Sequence, residues 1–407
     1  MKTARLYYDD SRLLEFEACV IEVREMGDGG KAVVLDRTAF YPTGGGQPSD
    51  VGTLDDARVI ECIDEEDLVL HVVQGGDLLP GQQVVGRVDR ARRLEHMQQH
   101  TAQHILSQSL WRLFSAETRG FRIMDRFSEI DVALDQPTNE RIAQAVELAN
   151  EIVWQDRPIK IGYVSSDEVS RLALRREPTR SGTLRIVEIE GFDATPCGGT
   201  HARRTGEVGI ILVRSWERAK RMTRVRFVAG VRALRDYEIL NRAAERVALM
   251  LSSEREMIAH RLERWIEEQR ELAKRVRELE EQRAKWEAHS LCERASARAD
   301  GARIVAHLLR DEDAEALKRL ALAAASRPLT VALLAVHEGE SVRLAFARSA
   351  DLSEDMGALM RRACAQIGGR GGGRTEFAQG GGKCTAEEAQ NLLESLAREL
   401  IAQRPNC

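Results

Sequence analysis

The sequence predicts an α+β protein with several domains. The first ninety residues contain short apolar runs separated by turns, the segment 240–296 has neither proline nor glycine and carries a heptad-like repeat, and the last hundred residues mix strand-like and helix-like segments with glycine clusters. At 407 residues the chain is too long for one ordinary domain. We expect a β-rich, barrel-like domain at 1–90, an α/β metal-binding domain at 91–238, a helical coiled-coil segment at 239–298 and a glycine-rich α/β domain at 299–407.

The composition indicates a folded protein of the cytoplasm. Hydrophobic residues make up 43% of the chain, enough for a real core, and the net charge of -5 argues against a globally basic nucleic-acid-binding surface. The N-terminus lacks the apolar run of a signal peptide, and no stretch approaches the roughly 20 apolar residues of a membrane helix, so we expect no membrane partner. The seven cysteines are odd in number and widely spaced, which indicates reduced thiols rather than a disulfide framework.

Residues 1–90 are expected to form strands. Four apolar runs separated by glycine- and proline-containing turns are typical of strands: 20–23, 31–35, 59–63 and 68–73. Between them, three consecutive glycines, Gly44, Gly45 and Gly46, precede Gln47. This loop is either a simple turn or a place where backbone N–H groups approach a small ligand, because glycine permits both.

The segment 93–106 predicts a helix in the next domain. Its apolar residues are spaced to bury one side, and we expect the helix to end near Phe114. The segments after it are expected to be a strand, a helix capped by Thr138 and two further strands: 128–132, 138–152, 184–189 and 208–213.

Four residues of this domain can hold one metal ion. His100 and His104 project together from a helix, because residues i and i+4 share a face. Cys197 and His201 are also four apart, and the two glycines between them allow a tight turn. Together they form the nitrogen and sulfur ligand set that zinc prefers. His96 would lie about 12 Å from His104 by the helical rise, so we expect it to pack beside the site instead of binding the ion.

These residues leave the role of the metal open. A metalloprotease helix carries a glutamate between its histidines as general base, whereas Thr101, Ala102 and Gln103 stand there in this chain. Four protein ligands close a tetrahedral site, which is typical of structural zinc. A catalytic role requires a fifth ligand or one loosely held side chain.

The segment 240–296 is predicted to be helical throughout. Its apolar residues alternate in steps of four and three, with interruptions at Gln269 and Arg283: Ile258, Leu262, Trp265, Leu272, Val276, Leu279 and Trp286. This pattern is typical of a coiled coil or a long helical hairpin. It predicts either a homodimer or an intramolecular pairing of helices.

The last domain is expected to be a compact α/β unit. Two strands and two helices are predicted at 329–336, 342–347, 356–365 and 386–403. Two glycine clusters, 371–373 and 380–382, lie near Arg370 and Arg374. They form either a cradle for phosphate groups or a flexible linker.

The histidine and cysteine motifs resemble those of the editing domain of alanyl-tRNA synthetase. The matching residues are His100-Thr101-Ala102-Gln103-His104 and Cys197-Gly198-Gly199-Thr200-His201, with Thr205-Gly206-Glu207 beyond them. The loop 40–48 and the glycine clusters near the end are similar to segments of the same family. The resemblance starts near the first residue, without an aminoacylation domain before it, so the chain is identified as a member of the free-standing AlaX editing proteins in their long form.

The resemblance implies a hydrolase that deacylates mischarged tRNA(Ala), chiefly seryl-tRNA(Ala), with glycyl-tRNA(Ala) as the second candidate. Zinc is the implied cofactor; it would position the aminoacyl end and activate water, so no catalytic side chain is named. Thr101 is the candidate that senses the serine hydroxyl, although it could equally bond its own helix backbone. The substrate-binding loop would be Gly44, Gly45, Gly46 and Gln47.

Two positions depart from the family pattern. Arg122-Ile123-Met124 stands where AlaX relatives carry a His-Leu-Gly run. Gly44 replaces a more usual serine. These departures leave the preference for one mischarged substrate open.

A basic run at 214–226 is the best candidate for tRNA contact, with six cations, one acid and an interleaved tryptophan. The expected contacts are Arg218, Lys220, Arg221 and Arg224, and the alternative is a solvated strand face. Arg370 and Arg374 form a second candidate site.

A different class of function fits the same residues: a non-catalytic, zinc-containing protein that binds RNA or assembles complexes. The joint presence of Thr101, the glycine-rich loop and the metal motifs favours the hydrolase. A homodimer through the helical segment or the C-terminal domain is a further expectation.

Overall fold

The computed structural model describes residues 2–27, 30–165 and 183–402. The chain divides into two compact units, residues 1–249 and residues 250–407. Both units mix helices and strands, so the predicted mixed α/β, multidomain architecture with a helical segment is confirmed. The finer division into four domains stays a prediction.

The first unit begins with a closed barrel. Its strand order is β2-β3-β7-β6-β5-β8, and a short parallel pair, β1 with β4, lies beside it. Burial along β2 alternates as expected for a strand with one face in a core, with Phe16, Ala18 and Val20 buried. The strands are β1 Ala4–Arg5, β2 Glu15–Glu25, β3 Lys31–Leu35, β4 Arg37–Thr38, β5 Gly52–Leu54, β6 Ala57–Glu65, β7 Leu68–Gln74 and β8 Gln83–Val88.

Two antiparallel sheets and three α-helices follow among the described residues of the first unit. The sheets have the orders β14-β15-β10-β9 and β11-β12-β13. The helices are α1 Arg90–Phe114, α2 Asn139–Trp154 and α3 Gly230–Met250. The strands are β9 Thr118–Ile123, β10 Ser128–Val132, β11 Ile159–Ser165, β12 Thr183–Ile189, β13 Asp193–Pro196, β14 Ile211–Ala219 and β15 Met222–Ala229.

Local sequence sets the ends of these helices. The Asp89 side chain accepts the backbone N–H of Arg92 at the start of α1, and Ser115 ends the helix in a left-handed conformation, close to the predicted end. Thr138 caps α2 as predicted, accepting the N–H of Arg141. The strand predicted at 208–213 begins only at Ile211, because a 3-10 turn, Thr205–Val208, occupies the preceding residues.

The histidine helix α1 is buried on more than the one side that its apolar spacing predicts. Fifteen of its residues are buried, and most of these are polar. The polar side chains bond to the strands around the helix: the Gln99 amide, for example, donates to the Ala229 carbonyl at 2.8 Å and accepts the Ala229 N–H at 3.1 Å. Because these bonds replace water, polar side chains can occupy the centre of the unit.

A buried ion pair joins the barrel to α1. Arg93 on α1 and Asp50 in the barrel loop are both fully buried, and their side chains are in direct hydrogen-bond contact. Arg93 also donates to the carbonyl of Ser11 at 2.7 Å, while Asp50 accepts the N–H of Tyr41 at 2.7 Å. The pair fixes where the barrel loop meets the histidine helix.

The second unit is a six-stranded sheet with helices on both faces. The strand order is β16-β17-β18-β19-β21-β20, and only the β17–β18 pair is parallel. Helices α6 and α7 cover one face, and α5 with the end of α4 covers the other. The elements are α4 Ile258–Glu293, β16 Ser296–Ala297, β17 Arg303–Leu309, α5 Ala314–Ala325, β18 Thr330–Glu338, β19 Ser341–Arg348, α6 Met356–Gln366, β20 Arg370–Gly373, β21 Phe377–Lys383 and α7 Ala386–Ala402. Gln403, the predicted end of the last helix, lies outside the described residues.

The segment predicted as one continuous helix is broken. Helix α3 ends at Met250, Ser252 has a left-handed φ of 49°, and a 3-10 turn at Arg255–Met257 precedes α4. No proline or glycine marks this break, so the composition gave no signal of it. The heptad residues of α4 are largely exposed, with Trp286 at 75% and Leu272 at 56%.

The glycine clusters are strands, not a linker. Gly371 of β20 lies opposite Gly380 of β21, and α6 packs directly on the pair. A Cβ atom at either glycine would lie within 2.7 Å of the Cys364 sulfur. The glycines therefore allow a helix to approach the sheet closely, which accounts for them without a phosphate ligand.

Candidate metal centre

The four predicted ligands come together in the first unit. Helix α1 presents His100 and His104, and the loop after β13 presents Cys197 and His201. One ligand atom from each residue lies within 4.8 Å of all the others. The Cys197 sulfur is 3.2 Å from Nε2 of His201 and 3.4 Å from Nε2 of His100. Residues far apart in sequence therefore form one compact group that could bind a metal ion.

The spacing of this group suits zinc. Tetrahedral zinc with bonds of about 2.3 Å to sulfur and about 2.05 Å to nitrogen separates those two atoms by ~3.6 Å. The two sulfur–nitrogen separations in this group, 3.2 and 3.4 Å, are only slightly shorter. Three imidazoles and one thiol are also a common zinc ligand set.

Each ligand histidine is oriented through its other ring nitrogen. Nδ1 of His100 lies 2.8 Å from the amide oxygen of Gln47. Nδ1 of His104 lies 3.2 Å from a carboxylate oxygen of Asp193.

The third histidine follows the same rule. Nδ1 of His201 lies 3.2 Å from the hydroxyl oxygen of Thr101, which also accepts the backbone N–H of Ala202 at 3.1 Å. Since Nδ1 of each ring has a partner, Nε2 is left for the shared centre. Such outer partners fix the tautomer and orientation of metal-binding imidazoles.

The charges within the group favour a thiolate. Burial alone would raise the pKa of the Cys197 thiol, but the imidazoles of His100 and His201 outweigh it and hold that pKa well below its usual value. Burial opposes charge on His104, yet its bonds to Asp193 and Cys197 raise its pKa to about 9. The thiolate is the form of cysteine that binds metals.

A cavity of about 740 Å³ opens beside three of the ligands, His100, His104 and Cys197. Aromatic rings, arginines and small polar side chains form most of the rest of its wall: Arg5, Tyr7, Tyr8, Tyr41, Gln103, Thr118, Arg119, Phe121, Tyr163, Arg185 and Thr195. Its size lies in the range of roughly 300–1,000 Å³ typical of small-molecule sites. The cavity gives a ligand direct access to the metal-binding group.

The glycine-rich loop is a tight turn that also reaches the cavity. Gly44 and Gln47 bond to each other through their backbones, and Gly45 and Gly46 between them have φ of 56° and 83°. Gly44 and Gly45 line the cavity. Gly46 packs against β9, where a Cβ would lie 2.2 Å from the Phe121 carbonyl oxygen.

Two predicted substrate contacts lie behind the ligands. Gln47 and Thr101 are 1% exposed and are absent from the described wall of the cavity. The structure places each of them against the far nitrogen of a ligand histidine. Neither alternative drawn from the sequence for Thr101, the substrate or its own helix backbone, matches these contacts.

Asp193 is a site residue that the sequence did not indicate. It lies on β13 and approaches His104 only because β13 runs past α1. Its distance of four residues from Cys197 could have drawn attention to it, but no sequence pattern pairs it with His104. His96 is 2% exposed and stands outside the ligand group, which matches its expected packing role.

The predicted tRNA contacts differ in how free their charges are. Arg218, Lys220 and Arg221 are exposed at the β14–β15 hairpin and have no ion-pair partner within the described part of the chain. Arg224 instead donates to both carboxylate oxygens of Asp131, at 2.8 and 2.9 Å. A charge already paired in this way contributes less to phosphate binding.

Three other arginines from the sequence analysis lie on strands or directly after one. Arg122, at the position where relatives carry histidine, lies 3.4 Å from a carboxylate oxygen of Glu129. Arg370 begins the edge strand β20 of the second unit, and Arg374 directly follows that strand; both are exposed.

No described helix is long and apolar enough to span a membrane, and the six described cysteines are free thiols.

Three family models match the chain. They are tRNA synthetases class II (A) at residues 5–92, the threonyl and alanyl tRNA synthetase second additional domain at residues 184–226, and the DHHA1 domain at residues 301–402. The second of these covers β12 to most of β15 and includes Cys197 and His201.

Two kinds of relatives are similar over nearly the whole chain. The alanine–tRNA ligase of Pyrobaculum calidifontis is 34% identical over 98% of this chain and 44% of its own length. The alanyl-tRNA editing protein AlaX-L of Pyrococcus horikoshii is 32% identical over 97% of this chain and 99% of its own. The chain thus spans less than half of the ligases it matches. The solved C-Ala domain from Aquifex aeolicus alanyl-tRNA synthetase matches 25% of this chain at 24% identity, with a TM-score of 0.23.

Proposed function

This chain belongs to the AlaX family of alanyl-tRNA editing proteins, and from that premise we propose that it hydrolyses the ester bond of mischarged tRNA(Ala). The observation that carries the proposal is the group formed by His100, His104, Cys197 and His201 at the wall of an open cavity. A purely structural metal site has no need of a cavity at its ligands. The cavity would admit the aminoacyl end of the tRNA.

We propose zinc as the ion, held by these four side chains. When bound, zinc would supply Lewis-acid chemistry toward water or the ester carbonyl. Cys197 contributes the thiolate, and Gln47, Asp193 and Thr101 keep the three imidazoles turned toward it. No cysteine, serine or lysine nucleophile is required for this scheme.

The need for such an activity follows from the size of the amino acids. A site built for alanine discriminates against glycine, which lacks a methyl group, or serine, which adds a hydroxyl. The difference in binding free energy is only about 1–3 kcal/mol. A second, hydrolytic site is therefore needed to remove the wrong amino acids. We propose seryl-tRNA(Ala) as the chief substrate and glycyl-tRNA(Ala) as the second.

The serine hydroxyl would meet polar side chains in the cavity wall near the ligands. Gln103, Thr118 and Thr195 line the cavity. Thr101 would influence the substrate only indirectly, by orienting His201. Gly44 and Gly45 would contact the substrate through their backbones, while Gln47 would act on His100.

We propose that the β14–β15 hairpin binds the tRNA body. Arg218, Lys220 and Arg221 offer exposed cations to phosphate groups, and Arg224 contributes less because Asp131 already pairs with it. Arg370 and Arg374 remain a second, separate candidate in the other unit.

The exposed apolar seam of α4 supports a homodimer as a further proposal. A seam of this length, with Leu262, Trp265 and Leu279 between 40% and 56% exposed, is suited to pairing with a second helix. Light scattering on the full chain, compared with a variant carrying Leu272→Glu and Leu279→Glu, tests it. A dimer that survives both substitutions would place the interface elsewhere.

The protein is proposed to act in the cytoplasm.

The experiment that tests the function compares three esters of tRNA(Ala). Purified protein is incubated with seryl-, glycyl- and alanyl-tRNA(Ala), and release of the amino acid is followed. We expect serine to be released fastest, glycine more slowly and alanine least. A protein that binds zinc stoichiometrically yet leaves all three esters intact would favour the alternative, a non-catalytic zinc-containing RNA-binding or assembly protein.

A further inference from the structure

The cavity wall contains a buried cation that lacks a counter-charge. Arg185 of β12 is 9% exposed and lines the cavity. Its Nε donates to the carbonyl of Tyr8 at 3.1 Å, and its Nη1 donates to the carbonyl of Cys197 at 2.6 Å. Its Nη2 is buried and has no acceptor among residues 2–27, 30–165 and 183–402. No carboxylate in those ranges lies within ion-pair distance of it.

The two other arginines that line the described wall are different. Arg5 pairs with Asp64 at 2.6 Å, and Arg119 pairs with Glu117 at 2.7 Å. Among the described residues, two carbonyl oxygens and the ring of Tyr8 face the Arg185 guanidinium, and no carboxylate pairs with it. A buried charge without an opposite charge is costly, and arginine cannot relieve that cost by losing its proton. An anion that enters with a ligand would relieve it.

The position of Arg185 determines which part of a bound ligand its guanidinium can contact. Its bond to the Cys197 carbonyl holds the guanidinium beside a metal-binding residue, and the ring of Tyr8 lies 5.4 Å from its central carbon. These contacts fix the plane of the guanidinium. The cavity of about 740 Å³ is also larger than an aminoacyl group requires.

We infer that Arg185 binds the last phosphodiester of the RNA substrate, next to the aminoacyl ester. This inference rests on the proposed function. In an aminoacylated RNA, one ribose separates that phosphate from the ester, so a phosphate at Arg185 fits an ester at the metal-binding group. Nε and Nη1 already donate to carbonyls, so Nη2, which has no acceptor in the described ranges, would donate to the phosphate in a charge-assisted hydrogen bond. The substrate's RNA end is thereby positioned by a charge next to the reaction site.

The test compares two small substrates that differ in one charge. The first is the dinucleotide cytidylyl-adenosine with serine esterified to its terminal ribose, and the second is the same molecule with a neutral methylphosphonate linkage. For the zinc-loaded full chain we expect kcat/KM to be roughly 10- to 100-fold higher for the phosphate substrate, the value of a hydrogen bond to a charged group. In Arg185→Gln we expect this ratio to fall toward one.

Arg119→Gln is the matched control, because Arg119 lines the same cavity but already pairs with Glu117. It should keep the ratio of the unaltered protein. Equal kcat/KM for both substrates in the unaltered protein would overturn the inference, and this result needs no folded variant. An Arg185→Gln variant that slows both substrates equally would overturn it too, since Arg185 would then only support the Cys197 carbonyl.

A failure of the proposed function can be distinguished from a failure of this inference. If the unaltered protein hydrolyses neither ester, the hydrolase proposal fails. Calorimetry with cytidylyl-adenosine that carries no amino acid, and with its methylphosphonate form, still tests Arg185. We expect the phosphate form to bind more tightly by a similar factor, and Arg185→Gln to remove that advantage. Equal binding of the two forms would contradict the role of Arg185.

Discussion

Gln47 of the barrel domain's glycine turn and His100 of α1 meet in one buried hydrogen bond, 2.8 Å from amide oxygen to Nδ1. The same amide donates to the hydroxyl of Thr200 at 2.9 Å, in the loop that carries the other two ligands. One side chain thus links the barrel, the helix and the cysteine loop. The glycine turn belongs to the metal centre as well as to the cavity.

Replacing Gln47 with leucine should weaken metal binding. The substitution removes the acceptor for Nδ1 of His100, and loss of such an outer partner typically costs about 10- to 100-fold in affinity. Zinc affinity is measured by competition with a chromogenic chelator. Gln82→Leu is the control, because the side-chain oxygen of Gln82 accepts the backbone N–H of Leu79 in the barrel. Unchanged zinc affinity in Gln47→Leu would show that the bond to His100 is not needed.

Replacing Thr101 with valine should also lower zinc affinity, and it should leave the preference for serine over alanine in place. The reason is that Thr101 bonds to His201 and Ala202 and does not line the cavity. Zinc content and the ratio of seryl- to alanyl-tRNA(Ala) hydrolysis are measured on the same preparation. Thr101→Ser keeps the hydroxyl and should restore zinc binding. If Thr101→Val keeps full zinc but loses its preference for seryl- over alanyl-tRNA(Ala), Thr101 contacts the substrate directly.

Replacing Arg93 with methionine should destabilise the first unit strongly. It leaves the carboxylate of Asp50 buried without its partner, which typically costs about 3–5 kcal/mol. Urea unfolding gives the free energy of unfolding. The double change Arg93→Met with Asp50→Leu should cost less than the sum of the two single changes, because no unpaired charge remains. Additive losses would mean that the pair does not act as a unit.

An exposed pair provides the scale for that measurement. Arg87 and Glu15 form an ion pair in the same barrel, with side chains 55% and 64% exposed. Arg87→Met should change the free energy of unfolding by less than about 1 kcal/mol.

Removing charge from the β14–β15 hairpin should weaken tRNA binding in a salt-dependent way. Lys220→Ala with Arg221→Ala removes two exposed cations, and each lost contact with a duplex phosphate should lower the slope of log Kd against log salt by about 0.9. Filter binding of tRNA(Ala) at several salt concentrations measures the slope. Arg224→Gln should alter it less, since Asp131 already neutralises Arg224. Equal slopes for all the proteins would remove the hairpin from the tRNA site.

Residue spacing predicted the centre of the site but not its supports. His100 with His104, and Cys197 with His201, could be paired because a helix and a glycine turn bring residues four apart together. Asp193 could not be predicted in the same way. It reaches its histidine from a strand whose path is set by tertiary packing, and no local pattern encodes that path.

In the second unit, too, tertiary packing determines features that no local sequence pattern predicts. Gly371 and Gly380 resembled a flexible or phosphate-binding loop in sequence, and only the packing of α6 on them explains their lack of side chains. The break between α3 and α4 lies at Ser252, a residue that rarely adopts a left-handed conformation. Periodicity identified the helices on both sides of it but not the break.

In the proposed function, one metal ion held by the four ligands serves an ester hydrolase. The measurement is zinc content and the rate of seryl-tRNA(Ala) deacylation in the unaltered protein and in Cys197→Ala, with Cys19→Ala as a control remote from the ligands. We predict one zinc per chain and rapid deacylation for the unaltered protein and for Cys19→Ala. Cys197→Ala should lose zinc and slow deacylation by more than the roughly 10- to 100-fold cost of an outer partner. Full zinc and full activity in Cys197→Ala would show that Cys197 does not hold a metal ion needed for hydrolysis.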